Sequence, residues 1–450
     1  MGESASHQEL LQDHEGNIAN SLMKENEHDL LANAITKTLE SLKPLLESPG
    51  ICIYKVPDPL RYSNEEAYTP QVISIGPFHR ENKKLQAMEK FKLRYLKSFM
   101  KERATAINLE DLVSTIKAAE ESVRECYSET FQSICSDDFV EMILLDSIFI
   151  IEFFLRNLPR KDWMPSDQLA TLKPWLRSGM ELDFMLLENQ LPFFIIQKIY
   201  EITVLASFPT SYPSFIDLTF QLFSRYNLQN KSPCAELNIL HFADLVRFFC
   251  LPPPERQQER GKKLLKEMHS ATQLAEVGLK FKWVDISSKC SQLDLKFTND
   301  GVLHIPRFDW NNTSELYARN LIAIEQCHYP DHAYVTDYYI LLRYLIKTGK
   351  DVDLLVREEI ITDWLDDTNS TTFVSKLCGN IVYSSMNANY HSIGEDLSKF
   401  YKTRVSYFQI LWATLKRDYF RTPWMGASTI AAVILLVLTV IQTGCSLSSL

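Results

Sequence analysis

The 450-residue chain is long for one domain, and its 46% hydrophobic content with 25 Phe is ample for a large core. A net charge of −10 with no basic block in the body excludes nucleic acid as an expected partner. Gly is scarce, 13 of 450 against a usual share of ~7%, which disfavours phosphate-cradling loops and α/β turns and favours helices joined by Pro and polar turns. The nine Cys are scattered without a C-x-x-C pair, so they read as free and mostly buried thiols.

Residues 1–27 are acidic and poor in hydrophobic residues, the composition of a disordered start. No apolar h-region lies within Met1 to Leu30, so no signal peptide is expected. Met-Gly-Glu-Ser-Ala-Ser matches the N-myristoylation pattern at Gly2 and Ser6, although Glu3 is an unusual neighbour. A helical body is expected from residue 28 to residue 421. Leu30, Leu31, Ile35, Leu39, Leu42 and Leu46 make its first helical stripe, which Ser48-Pro49-Gly50 ends. Ile51–Val56 and Gln71–Ile75 read as short strands around an extended Pro-containing loop. Tyr54, Pro57, Tyr68, Pro70, Phe78 and His79 make this region either a rigid cover on the core or a partner surface.

Helices are predicted at Glu81–Glu102, Leu109–Phe131 and Asp138–Leu158. The third is apolar nearly all round and belongs at the core centre. Its Asp146 and Glu152 then need partners, and Arg156 stands four residues from Glu152. In Met180–Tyr200, Asp183 is placed to cap a helix holding Leu186 and Leu187, which Pro192 would break. Residues 205–256 are punctuated by Pro and read as a peripheral insertion. Helix is expected again over Gln257–Val277. Leu279–Val284, Leu293–Phe297 and Val302–Ile305 alternate apolar and polar, which predicts a small antiparallel β patch with a hairpin turn at Asn299-Asp300-Gly301. Further helices are predicted at Ser314–Cys327, Ala333–Thr348, Asp351–Arg357, Thr371–Asn387 and Ile393–Arg421.

No charged residue follows Arg421. The apolar run Met425–Ile441 predicts a transmembrane helix over residues 422–446, with a short tail at 447–450. Its Ile, Val and Leu residues would favour the bilayer by roughly 3–5 kcal/mol on the insertion scale. Trp424 stands at an interfacial position, and Ile430, Leu435, Leu436 and Ile441 lie inside the run. Lys402, Arg404, Lys416, Arg417 and Arg421 on the near flank predict a cytosolic body, and the length of the run suggests the plasma membrane. The lipid bilayer is therefore an expected partner. In that topology the N-x-S/T sites at Asn230, Asn311, Asn312 and Asn369 stay unmodified.

No P-loop, dinucleotide fingerprint, nucleophile elbow or H-E-x-x-H occurs. No catalytic residue, cofactor or metal is assigned. Glu325-x-x-His328 with His332 is half of a carboxylate–histidine metal site, and the other half is missing. Glu188, Asn189 and Gln190 lie in an apolar segment, as does Glu325 after Arg319 and Asn320. With Asp183 these are expected to form a buried polar core in which the two segments meet and Arg319 is the counter-charge to Glu188. Left unpaired, each buried polar group would cost about 1–3 kcal/mol.

The chain carries Ile53-Tyr54-Lys55-Val56-Pro57, then Ala67-Tyr68-Thr69-Pro70-Gln71-Val72-Ile73-Ser74-Ile75-Gly76-Pro77-Phe78-His79 and Met88-Glu89-x-x-Lys92. Asp183-x-x-Leu186-Leu187-Glu188-Asn189-Gln190-Leu191-Pro192-Phe193-Phe194, Asn320-Leu321-Ile322-Ala323-Ile324-Glu325-Gln326 and Tyr419-Phe420-x-x-Pro423-Trp424 follow. Together these stretches resemble the plant domain-of-unknown-function 247 family, the uncharacterised UPF-type plant membrane proteins, over roughly Ile51–Ile441. One departure is Asp146-Ser147-Ile148-Phe149, where the family more often has Asp-Gly-Cys-Phe. The resemblance implies a single-pass, C-terminally anchored plant protein without an established enzymatic activity, and some grass members are associated with self-incompatibility. The expected function is non-catalytic recognition or signalling through an unidentified protein partner. The alternative is an enzyme or small-ligand binder with a polar pocket around Glu188 and Glu325.

Overall fold

The computed structural model describes residues 28–37, 39, 50–158, 173–234, 237–254, 257–258, 260–261, 263–287, 290–363, 373–383, 385–419 and 423–448, without the side chains of 312, 407–429 and 444–448. The acidic start, the myristoylation pattern and Asn369 lie outside them, and so does the Trp424 side chain. The chain divides into Met1–Ile51 and Cys52–Leu450. In the first unit residues 28–37 are helical with exposed Leu30, Leu31 and Ile35.

The second unit is mainly α. Helices α1 (Gln86–Glu102) and α2 (Leu109–Arg124) pack on α3 (Ser136–Arg156), whose residues from Met142 to Leu155 are all buried. Asn108 starts α2 by accepting the Asp111 N–H, and the Cys135 sulfur does the same for Asp138 in α3. Helix α4 (Pro174–Asp183) leads into a non-helical stretch, residues 184–192, and α5 (Phe193–Tyr200) then packs on α3. Pro192 precedes α5 at its N-cap, where the missing Pro N–H costs no helical bond. Helix α6 (Phe215–Leu222) also packs on α3. Helix α7 (Phe242–Cys250) brings Phe242 against the rings of Phe154, Phe184, Phe193 and Phe223. Phe215, Leu218, Phe220, Leu245 and Phe249 are also buried, so α6 and α7 supply core where a peripheral insertion was expected, and most of the Pro residues around them lie at or near the surface.

The α8 helix (Ala271–Glu276) is all that is helical of the expected Gln257–Val277 helix among the described residues. A Ser270–Gln273 capping box fixes its start. Strand β1 (Lys280–Val284) pairs parallel with β3 (Val302–Pro306), and β2 (Lys296–Thr298) pairs antiparallel with β3. The hairpin turn falls at Gly301, which has φ +81°. Parallel pairing corrects the antiparallel patch. Alternation in β1 reports its two faces and not its direction, and the long connection before β2 lets β1 lie on the far edge of β3. A second parallel pair joins β4 (Phe308–Trp310) to β5 (Ile361–Asp363). Between them run α9 (Asn312–Cys327), α10 (Tyr334–Leu345) and α11 (Gly349–Arg357). Helix α9 packs on α7 and α10, and α12 (Ala388–Tyr419) packs on α10 and β2.

Helix α13 (Pro423–Ser448) ends the described chain, but it corrects the expected membrane span. Among the described residues no helix is long and apolar enough to cross a membrane. The mostly apolar part, Ile430 to Ile441 with Thr439 inside it, reaches about 18 Å at 1.5 Å per residue, against ~30 Å for a hydrocarbon core. Ile430, Leu435, Leu436 and Ile441 are exposed along it. The lipid partner, the topology and the plasma-membrane location lose the span on which they rested.

Neither expected strand before α1 forms a ladder. Ile53 makes an isolated bridge to Tyr127, and residues 71–76 run without a partner strand. Gly76 turns this run with φ +72°, and a Cβ there would stand 2.6 Å from the Gln190 carbonyl oxygen. Gly76→Ala is expected to cost about 2–4 kcal/mol, from the left-handed backbone and from the clash with a main-chain atom. Urea unfolding measures it, and a loss under about 0.5 kcal/mol would contradict the close approach.

Candidate functional site

The 184–192 stretch is buried without helix or strand, so its main-chain groups need partners from elsewhere. Side chains supply them, and the seven expected polar-core residues, Asp183, Glu188, Asn189, Gln190, Arg319, Asn320 and Glu325, are all buried. Asp183 ends α4 and caps no helix through Leu186 and Leu187. Its carboxylate accepts the N–H groups of Gln71 at 2.9 Å, Val72 at 2.7 Å and Ile73 at 2.8 Å. Burial pushes Asp183 up to about 6, with the three N–H groups pulling the other way. Asn189 accepts from Ile75 N–H at 2.7 Å and donates to the carbonyls of Ile73 and Asp183, both at 3.0 Å.

Gly76 N–H donates to Asp146 at 2.8 Å, and Lys92 donates to Asp146 at 2.5 Å, to the Ser74 carbonyl at 2.6 Å and to Glu89 at 2.6 Å. Burial raises the Asp146 pKa, and Lys92 opposes it. Residues 71–76 are thus extended chain whose donors bond to side chains in place of a neighbouring strand. A hydrophobic, β-like run predicts a strand because the sequence does not show that Asp146, Asp183 and Asn189 will stand beside it.

Glu188 accepts Val56 N–H at 2.7 Å and an Arg61 N–H at 3.0 Å, and His79 Nε2 lies 3.0 Å from the same carboxylate. The counter-charge is therefore Arg61, not Arg319. Arg319 donates to Glu315 one helical turn away at 2.7 Å. An i,i+4 partner on α9 outcompetes one across the core because it needs no long-range placement. The two segments do meet, through Asn320. It accepts Leu187 N–H at 3.0 Å and donates to the carbonyls of Ala67 and Leu316, both at 2.8 Å. Gln190 accepts Phe242 N–H at 3.0 Å and donates to the Phe184 and Leu186 carbonyls.

Glu325 accepts Arg247 Nε–H at 3.1 Å, Val335 N–H at 3.1 Å, and both the N–H and hydroxyl of Thr336 at 2.8 Å. Burial pushes this carboxyl up while Arg247 pulls it down. His328 hydrogen-bonds the Tyr54 hydroxyl at 3.0 Å, and His332 offers only its carbonyl to Arg247 at 2.6 Å. Glu325 and the His332 carbonyl thus share Arg247, while His328 pairs with Tyr54. Among the described residues no group of three or more His, Cys, Asp or Glu side chains could hold a metal ion.

Arg61, Lys92 and Arg247 are the cations that the sequence reading passed over. Arg247 carried the same signal as Glu188, one charge in an apolar run, but it lay in the stretch read as peripheral. His241 was also missed. Buried, it is pushed down to about 4, receives Asp244 N–H on Nδ1 and gives its Nε2–H to the Cys52 carbonyl at 3.0 Å, which fits the neutral ring.

A family model described as a plant protein of unknown function, DUF247, matches residues 53–438. The chain belongs to this family. The DUF247 match takes in every group of the polar core. The UPF0481 protein At3g47200 of Arabidopsis thaliana is 26% identical over 429 residues, covering 89% of this chain and 87% of the relative. A putative UPF0481 protein of the same plant, At3g02645, is 28% identical over 156 residues, 35% of this chain and 28% of the relative. No solved structure matches.

Proposed function

We propose that this DUF247 chain is a non-catalytic recognition module that works through protein–protein contact. The observation that carries the reading is the saturation of Glu188 and Glu325. Each carboxylate is buried and spends its oxygens on the chain's own N–H groups and on one arginine, so neither faces a substrate. A general acid or base has to reach the proton it moves, and these two are enclosed. The alternative reading needed an open pocket around them.

A surface for the partner is suggested by two tied turns. Asn380 donates to the Pro59 carbonyl at 2.7 Å, which ties the turn just before Val382 to the segment just before Tyr62. Tyr62 is 83% exposed and Val382 82% exposed. Tyr is a frequent anchor at protein interfaces, since it offers a large apolar face with a polar tip. The test is site-specific photocrosslinking in plant cells, with Tyr62→p-benzoylphenylalanine compared with Lys90→p-benzoylphenylalanine at an exposed position of α1. The expected result is a discrete protein adduct from position 62 that is absent from position 90 and lost in Val382→Asp. Equal adducts from both positions, or none from position 62, would contradict the reading.

A further inference from the structure

Cys52 and Cys126 stand side by side where the second unit begins. Ile53 bridges Tyr127 in parallel, with Ile53 N–H donating to the Cys126 carbonyl and Ser128 N–H to the Ile53 carbonyl, both at 2.9 Å. That register sets Cys52 opposite Cys126, and the Cys52 N–H also donates to the Cys126 carbonyl at 2.9 Å. Opposed residues of a parallel pair stand about 4.8 Å apart with their side chains on one face, within the roughly 4.4–6.8 Å between the Cα atoms of a disulfide. Both residues are buried, and exposed Glu125 and Ser128 lie close to Cys126 in the chain.

The two sulfurs are not equivalent. The Cys52 thiol beside it holds Cys126 below its ordinary range, whereas Cys52 is pushed far up, by Cys126 first and by burial second. Cys126 is therefore the better nucleophile, since the thiolate is the reactive form. Cys52 is the first residue of the second unit, and chain ends open locally at less cost than core elements, which admits a small oxidant.

We infer that Cys52 and Cys126 are a redox modification site, closed to a disulfide by hydrogen peroxide and reopened by a dithiol reductant. Cys126 gives up its proton and attacks a peroxide oxygen. An S–O bond forms, the O–O bond breaks, and the hydroxide that leaves takes up the proton as water. The Cys52 sulfur then attacks the Cys126 sulfenic acid. The S–S bond forms, the S–O bond breaks, and a second water leaves with the Cys52 proton. Two electrons pass from the sulfurs to the peroxide. The bond ties the end of α2 to the segment whose Cys52 carbonyl accepts from His241 and whose Val56 N–H donates to Glu188. The inference is independent of the partner surface at Tyr62 and Val382.

The test is treatment of the reduced full chain with hydrogen peroxide, alkylation of the remaining thiols with N-ethylmaleimide in urea, and mass mapping of peptides without reduction. The expected product joins the Cys52 and Cys126 peptides, at a yield at least about tenfold above any pair containing the exposed Cys135. Dithiothreitol should remove it, and the oxidised chain should unfold at a higher temperature than the reduced one. Cys52→Ala should leave Cys126 as a sulfenic acid that dimedone traps, and Cys126→Ala should give no such adduct at Cys52. The mapping is done on the parent chain, so a variant that fails to fold leaves the test intact. Both thiols alkylated after peroxide, or a Cys52–Cys126 yield no higher than that of the Cys135 pairs, would overturn the assignment.

Discussion

Asp183→Ala is expected to destabilise the second unit by about 3–5 kcal/mol, a large share of the stability of an ordinary domain. Three consecutive N–H groups, at Gln71, Val72 and Ile73, lose the carboxylate that accepts them in one change. Ile73 is fully buried, so water cannot replace the carboxylate there. Gln71 is exposed and Val72 half-buried, which keeps the sum below three full penalties. Asp183→Asn should recover part of the loss, because one amide oxygen can serve the Val72 and Ile73 N–H groups that now share Oδ2. Urea unfolding followed by circular dichroism measures both, and an Ala variant within about 1 kcal/mol of the parent would contradict the account.

Glu188→Ala is expected to cost a similar 3–5 kcal/mol, by a different route. It strips a buried charge pair of one partner and leaves Arg61, His79 and the Val56 N–H facing a void. Glu188→Gln keeps the volume and one acceptor oxygen, so it should retain the Val56 bond and lose the charge pairing. The ordering expected in thermal unfolding is parent, then Gln, then Ala. An inverted order would mean that the carboxylate is strained in the folded chain and not holding it.

Much of this core was legible in the sequence because charge in an apolar run is conspicuous. Glu188, Asn189, Gln190, Asn320 and Glu325 stand out against Leu, Ile and Phe neighbours, and all are buried. Their partners were not legible. Arg61 lies in a polar turn where a cation looks like ordinary surface, and nothing local says that it folds 127 residues across to Glu188. Arg319 looked like the counter-charge because it stands in the segment expected to meet Glu188, yet Glu315 on its own helix pairs with it instead. The direction of β1 was hidden for a related reason. Alternation fixes which face a residue takes, while the neighbour of a strand is set by contacts far along the chain. The expected membrane span rested on local signals, namely hydropathy, the basic near flank and Trp424.

The claim at the centre is that the buried carboxylates are architectural and that Glu188 acts through Arg61. A double-mutant cycle of Glu188→Gln with Arg61→Ala, run beside Glu188→Gln with Arg319→Ala, tests it most directly in urea unfolding. The expected result is a coupling of at least about 1 kcal/mol for the Arg61 cycle and additivity within about 0.5 kcal/mol for the Arg319 cycle. Coupling to Arg319 with none to Arg61 would contradict the arrangement described here.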